Sequence, residues 1–182
     1  MTGRFIAIVG PSGVGKDSVM GGMAACEKRL ALARRVITRP YLGGGEPFEG
    51  VSIPEFETQR QAGRFALWWA AHGLLYGIPA SVDTVLAKGR DVVANLSRTM
   101  LQPAMGRFAT VEVIALTVSQ NLLETRLRTR GREADADIAT RLDRSGYALP
   151  QSVPAHVVDN SGALDQTVNR VLGLLYPHDA LP

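Results

Sequence analysis

The run GPSGVGK, from Gly10 to Lys16, carries the clearest chemistry in the chain. It meets the pattern G-x-x-x-x-G-K. Gly10, Gly13 and Gly15 let the backbone wrap tightly, with Pro11, Ser12 and Val14 between them. The amide N–H groups of such a loop point inward at phosphate oxygens. A helix starting at the end of the loop adds its positive end. Lys16 places a compact charge among the β and γ oxygens of a triphosphate. The expectation is binding of a nucleoside triphosphate. The alternative, a merely flexible turn, is weakened by context, because an apolar run of strand length precedes the loop and a helix-compatible stretch follows it.

The residue after the lysine departs from the usual pattern. A Ser or Thr hydroxyl normally binds Mg²⁺ there, whereas this chain has Asp17, with Ser18 one position later. Asp17 is expected to hold the metal directly or through water, since Mg²⁺ favours hard oxygen ligands; helix capping is the competing role. Ser18 is a second candidate near the metal or the α-phosphate. Phosphoryl transfer also needs charge neutralised along an in-line path. Arg39, at the end of a short apolar run, is a candidate clamp for an acceptor phosphate. The cluster RLRTRGRE, from Arg126 to Glu133, places Arg130 and Arg132 around Gly131 at a helix end, and Arg141 and Arg144 follow on one helical face. A mobile arginine-bearing lid over about 129–140 is the functional reading; a solvated charged hairpin is the bland one.

These side chains need a scaffold. Arg4 to Val9 reads as a strand buried on both faces. A helix is predicted from about Asp17 to Leu30 and a strand over Arg35–Thr38. The Gly- and Pro-rich stretch that follows reads as a binding loop. Further predictions are a helix over Pro54–Gln61, a strand over Phe65–Ala71, a helix from Ser81 as cap to Ala87, and a strand over Asp91–Ala94 ending in Asn95. Then come a helix over Thr99–Met105, a strand over Thr110–Val118, a helix over Gln120–Arg130 capped by Ser119, and a helix over Ala136–Tyr147. A last strand spans Ala155–Val158 and a closing helix Leu164–Leu175. Alternation of strands and helices predicts an α/β fold with a parallel sheet flanked by helices. Residues 36–79, rich in turns, read as an insertion between core segments 1–35 and 80–182. Asn95 and Ser97 fall at the mouth of a central strand, where open α/β sheets bind ligands. His72 and Tyr76 are candidates to touch an acceptor or to serve structure; Trp68 and Trp69 read as packing, and Asp83 as a candidate for a cap or the metal.

Composition bounds the rest. The chain has 182 residues, a formal net charge of +3 and one cysteine. The length suits one domain. The basic balance is mostly arginine, which suits a small phosphorylated partner, and no Lys/Arg run is long enough to favour nucleic acid. Cys26 excludes an internal disulfide and reads as a buried thiol. No apolar run spans a membrane, and nothing resembles a signal peptide. The expectation is a cytoplasmic protein, monomeric or homodimeric.

The motifs GPSGVGKDS, ITRP, HGLLYG, ANLSR, RLRTRGRE and VVDN together resemble the guanylate kinase superfamily of P-loop kinases over nearly the whole chain. GKDS and NLSR resemble its ribose 1,5-bisphosphate phosphokinase branch. The resemblance implies an ATP-dependent, Mg²⁺-dependent kinase that converts ribose 1,5-bisphosphate to 5-phospho-α-D-ribose 1-diphosphate, as in bacterial phosphonate breakdown. It implies donor contacts from the loop Gly10 to Ser18, from Arg130 and from Asn160 beside adenine. It implies acceptor contacts from Arg39, Tyr76, Asn95, Ser97 and Arg141, with Lys16, Arg130 and Arg141 acting on the transferring phosphoryl. The polar readers of guanine are missing: a glutamate's place falls near Leu67, and aspartates of the central strand are matched by Asn95 and Ser97. Such losses undercut base discrimination. The competing functions are a nucleoside monophosphate kinase and, further off, a non-catalytic scaffold of the same fold, which typically lacks the loop lysine.

Overall fold

The computed structural model describes residues 2–40, 48–130, 149 and 152–177, with the side chain of Arg130 outside that set. Strand β1 (Phe5–Val9) is FIAIV, and every residue in it is buried. It is the centre of a five-stranded sheet of order β2-β7-β1-β8-β9, formed with β2 (Leu30–Leu32), β7 (Asp91–Asn95), β8 (Val111–Thr117) and β9 (His156–Asp159). All its pairings are parallel. This is the predicted α/β parallel sheet. Because β1 has neighbours on both sides and helices over both faces, its continuous apolar run is accounted for.

Alternate residues of β1 feed two cores. Ile6 and Ile8 pack with Val19, Met20 and Met23 of α1 (Lys16–Cys26) and with Val168 and Val171 of the closing helix, here called α6 (Leu164–Leu175). The two helices approach closely: a Cβ on Gly22 would lie 2.7 Å from Val168 Cγ2. Phe5, Ala7 and Val9 face the other way, toward Leu101, Ala104 and Phe108 on or beside α4 (Leu101–Arg107) and toward Leu67, Trp69 and Ile78.

Those last three residues belong to a second sheet of order β4-β3-β6-β5. It is formed by β3 (Val36–Ile37), β4 (Glu49–Gly50), β5 (Phe65–Ala71) and β6 (Leu74–Pro79). The turn-rich character read in 36–79 thus resolves into a small sheet with helix α2 (Ile53–Gln61) on its outer face, where Phe56 stacks on Phe65 with centroids 4.6 Å apart. A capping box starts α2: Glu55 N donates to Ser52 Oγ, and Ser52 N donates to Glu55 Oε2. The β5–β6 hairpin turns on His72 and Gly73, both at positive φ (53° and 72°). That is a two-residue turn whose twist matches the strands. The exposed His72 therefore serves the turn.

Three other expectations need correction. Helix α1 ends at Cys26, not Leu30, because Glu27 turns extended and Leu30–Leu32 pairs with Asp91–Val93 at the sheet edge. At that frayed end Cys26 is exposed rather than buried. Ser81 makes no side-chain cap to α3 (Val82–Ala87), since its own backbone is already helical. Pro103 sits in the first turn of α4, where its missing N–H costs no helical bond. Helix α5 spans Gln120–Arg130. The helix expected over 136–147 lies outside the described residues.

Candidate functional site

The loop from Gly10 to Lys16 joins β1 to α1, at the carboxyl end of the central strand. Two of its glycines are required by geometry. Gly15, at φ 98°, lies directly before α1, and a Cβ there would come within 2.7 Å of Asn160 Nδ2. Gly13, at φ 89°, would drive a Cβ to 2.8 Å from Leu127 Cδ2 and 3.1 Å from Leu123 Cδ1 of α5. Other residues pay a steric penalty at such φ values. Lys16 curls back over the loop, its Nζ donating to the carbonyls of Gly10 and Pro11 at 2.9 Å each. Its charge therefore already stands at the mouth.

Asp17 is the second residue of α1 and makes no cap; Gly15 occupies the cap position without a side-chain bond. Instead Asp17 Oδ1 accepts from Asn95 Nδ2 at 3.0 Å. The sheet explains the meeting. Asn95 ends β7 in parallel register with Ile8, so it projects beside the loop that follows β1. Asn95 is buried, and the bond fixes one Asp17 oxygen while leaving the other for a ligand. Ser18 is exposed on the same turn and lines the cleft described next.

A cleft of about 460 Å³ opens between the loop, α5 and the β9–α6 turn. Gly13, Gly15, Ser18, Arg126, Asn160 and Gly162 line it. Asn160 is buried and its Nδ2 donates to Val14 O at 2.7 Å. Arg126 bridges the same parts, with Nη1 donating to Val14 O at 3.2 Å and Nη2 to Asn160 O at 2.9 Å. Asn160 thus stands both at the cleft and as a strut under the loop. In sequence Arg126 reads only as part of a charged cluster. Its strut role was invisible in sequence because Val14 is more than a hundred residues away.

The acceptor candidates fall around the second sheet. Tyr76, half-buried, stacks on Trp69 with centroids 5.2 Å apart, and the Arg35 guanidinium lies 5.6 Å from its ring centre. Arg39 is exposed and lies over the Phe48 ring at 4.5 Å. Ser97 shares a 2.9 Å hydrogen bond with Thr99 just after β7. Its neighbour Arg98 lines a second cleft, of about 330 Å³, with Gly10, Pro11 and Thr117. Burial pushes the Arg98 guanidinium below its usual pKa. Trp69 is packing, as expected, while Trp68 is exposed under Arg60. Asp83 pairs with Arg107 on the surface, away from the metal role considered for it. Arg130 contributes only its backbone to the description; Gly131 to Glu133, Arg141 and Arg144 lie outside the described residues.

A phosphate loop on a five-stranded parallel sheet, with a second sheet over one face, defines a P-loop fold of guanylate kinase type. The guanylate kinase of Anaplasma phagocytophilum superposes with a TM-score of 0.67 at 17% identity, covering 99% of this chain and 87% of that one. That likeness fixes the fold alone. No protein-family model matches the chain. Curated relatives are far nearer in sequence. The ribose 1,5-bisphosphate phosphokinase PhnN of Ruegeria sp. is 46% identical over 167 residues, covering 91% of this chain and 88% of its own. The protein of the same name from Pseudomonas fluorescens is 45% identical over 179 residues, covering 94% of each. The chain belongs to the ribose 1,5-bisphosphate phosphokinase family and is a phosphotransferase.

Proposed function

We propose that the chain transfers the γ-phosphoryl of ATP to the 1-phosphate of ribose 1,5-bisphosphate, giving 5-phospho-α-D-ribose 1-diphosphate and ADP. The observation that carries this is identity above 40% to phosphokinases of that name along nearly the whole chain. The loop supports it, since its lysine, glycines and strut are all in place. A nonbridging oxygen of the 1-phosphate attacks Pγ, and the bond from Pγ to the β–γ bridging oxygen breaks, its electron pair leaving with ADP. The attacking oxygen is already ionised, so no general base is needed. The chain's work is positioning and charge neutralisation.

The loop amides and Lys16 hold the β- and γ-phosphates. Among the described residues no cluster of three metal-ligating side chains exists. That fits Mg²⁺, which kinases bind through one or two carboxylates plus substrate phosphates. Asp17, pinned by Asn95, is the carboxylate we assign, with Ser18 beside it. When bound, Mg²⁺ neutralises charge on the donor phosphates. Asn160 and the cleft beside it would take the adenine end. We assign 36–79 to the acceptor, through Arg39 and Tyr76, with Asn95 and Ser97 of the core beside them, and 129–140 to a lid whose Arg130, together with Arg141, would act on the transferring phosphoryl. Among the described residues no helix is long and apolar enough to cross a membrane; the cytoplasm is the proposed location.

The test is a purified-protein assay with ATP against ribose 1,5-bisphosphate and GMP, products resolved by ³¹P NMR. Formation of the 1-diphosphate is expected; turnover of GMP with none of the bisphosphate would sink the reading. The Asp17→Ala variant should raise the Mg²⁺ concentration needed for half-maximal rate about tenfold, as losing a charged ligand worth ~1.4 kcal/mol would do, and should weaken Mn²⁺ binding measured directly by electron paramagnetic resonance. An unchanged Mn²⁺ affinity removes Asp17 from the metal.

A further inference from the structure

The usual P-loop site divides its metal ligation between a hydroxyl directly after the lysine and an aspartate from elsewhere in the chain. This chain has Asp17 after Lys16 and Asn95 at the end of β7. Strand β7 is the neighbour of β1 in the sheet, so its last residue comes level with the start of the loop. Ile8 and Asn95 are register partners, and Leu96 N donates to Ile8 O at 3.1 Å just beyond them. The strand end therefore presents an amide to a carboxylate on the first turn of α1, at 3.0 Å.

Chemistry fixes the direction of that bond. An ionised carboxylate only accepts, so Asn95 turns its Nδ2 toward Asp17. That the donor is neutral matters as much. A lysine or arginine in its place would cancel the negative charge that a cation needs, and a carboxylate would repel it. The amide orients Asp17 and leaves its charge intact. It also leaves most of the lone pairs, since two oxygens offer about four sites and the bond takes one. Asn95 suits the part of anchor because it is only 7% exposed and every residue of β7 is buried. Asp17 is half-buried, so the bond adds to what packing does to hold its rotamer. Mg²⁺ demands near-ideal octahedral geometry, and the partners that orient a metal ligand are commonly worth about 10- to 100-fold in affinity.

We infer that Asn95 is a positioning residue for the metal, acting through Asp17. The pair transposes the usual arrangement, with the carboxylate on the helix and a neutral side chain at the strand end. The inference rests on the assignment of Asp17 to Mg²⁺. It gives Asn95 work on the donor side of the reaction, in addition to the place proposed for it beside the acceptor.

The experiment is a double-mutant cycle over wild type, Asp17→Ala, Asn95→Ala and the double variant. Mn²⁺ affinity is read by electron paramagnetic resonance with ADP bound and no acceptor present, so that the place of Asn95 beside the acceptor does not enter. Asn95→Ala should weaken Mn²⁺ binding about 3- to 10-fold. In the Asp17→Ala background the same replacement should change it by less than about twofold, because the carboxylate it acts through is gone. Losses that multiply, or an Asn95→Ala protein that binds Mn²⁺ as wild type does, overturn the inference. Loss of stability alone, with the affinity of the folded protein unchanged, is the second of these outcomes. The nearly isosteric Asn95→Asp serves where the alanine variant does not fold. Two carboxylates then meet at the 3.0 Å contact. The urea midpoint without metal should fall below that of wild type, and Mn²⁺ with ADP should raise it by more than it raises wild type. An equal rise in both overturns the inference. If Asp17→Ala binds Mn²⁺ at wild-type strength, the assignment of Asp17 fails instead, whatever Asn95 does.

Discussion

Replacing Asn160 by aspartate changes one amide for a carboxyl of nearly the same shape, at the point where three segments meet. In the native chain Asn160 Nδ2 donates to Val14 O at 2.7 Å, and Val14 O also receives Arg126 Nη1 at the longer 3.2 Å. Deleting the donor by Asn160→Ala leaves Val14 O with the weaker bond, at a cost of about 1–2 kcal/mol. Asn160→Asp does more, because an acceptor oxygen then faces a carbonyl oxygen at a buried position. A lost bond and an unsatisfied buried charge together cost about 3 kcal/mol near neutral pH. The ionised form is the disfavoured one, so the new carboxyl titrates above its unfolded value near 3.9. A group with a raised folded pKa gains stability as pH falls through that pKa. Once protonated, the carboxyl has an O–H to donate to Val14 O. Urea unfolding and KM for ATP, followed from about pH 8 to about pH 5, should show Asn160→Asp recovering toward Asn160→Ala or beyond. A gap between the two variants that stays constant across that range would falsify the account of Asn160 as a strut under the loop.

The opposite end of the sheet offers a second pH signature. Burial alone would raise the Asp91 carboxyl, but bonds from the Arg4 side chain and amide and from Tyr176 outweigh it and hold it below the usual range. Its contribution is therefore complete above the unfolded value near 3.9 and is lost as pH falls through the lower folded value. Asp91→Asn should cost about 3 kcal/mol at neutral pH, and its urea-midpoint difference from wild type should shrink in acid; a difference as large near pH 2 contradicts the assignment. Gly13→Ala should cost about 1–2 kcal/mol for its backbone alone, with more from the push against Leu127 and Leu123. KM for ATP should then rise more than tenfold; binding at wild-type strength would mean the loop does not need the α5 contact.

What could be read from sequence followed from local pattern. Helices Gln120–Arg130 and Leu164–Leu175 and strand Phe65–Ala71 have the bounds their residues suggested, since their pattern and flanking turn residues agree with their tertiary setting. Leu30–Leu32 did not read as a strand, because its three residues become one only by pairing with β7, about sixty residues on. Strand β6 hid behind His72 and Gly73, whose turn conformation is plain only once the hairpin is seen. Asp17 stands out in the sequence as an oddity, while its partner Asn95 reads as a substrate contact. The 3.0 Å bond between them exists because β1 and β7 lie in register.

The same contrast separates donor from acceptor handling. The donor phosphates meet backbone amides, whose arrangement is written locally in Gly10, Gly13 and Gly15 and in the helix that follows them. Seven residues suffice to specify it because each N–H is placed by its own φ and ψ. The acceptor site we propose uses long arginine side chains, and the sequence offers many of these. Which one serves depends on strand facing and on what lies across the sheet. Arg34 and Arg35 are adjacent in sequence, yet Arg34 reaches the carbonyl of Phe48 while Arg35 lies by Tyr76. One step along an extended strand reverses the face. Specificity carried by arginines can therefore change by small shifts in a two-residue strand, while the phosphate loop, tied to Asn160 and α5, stays fixed.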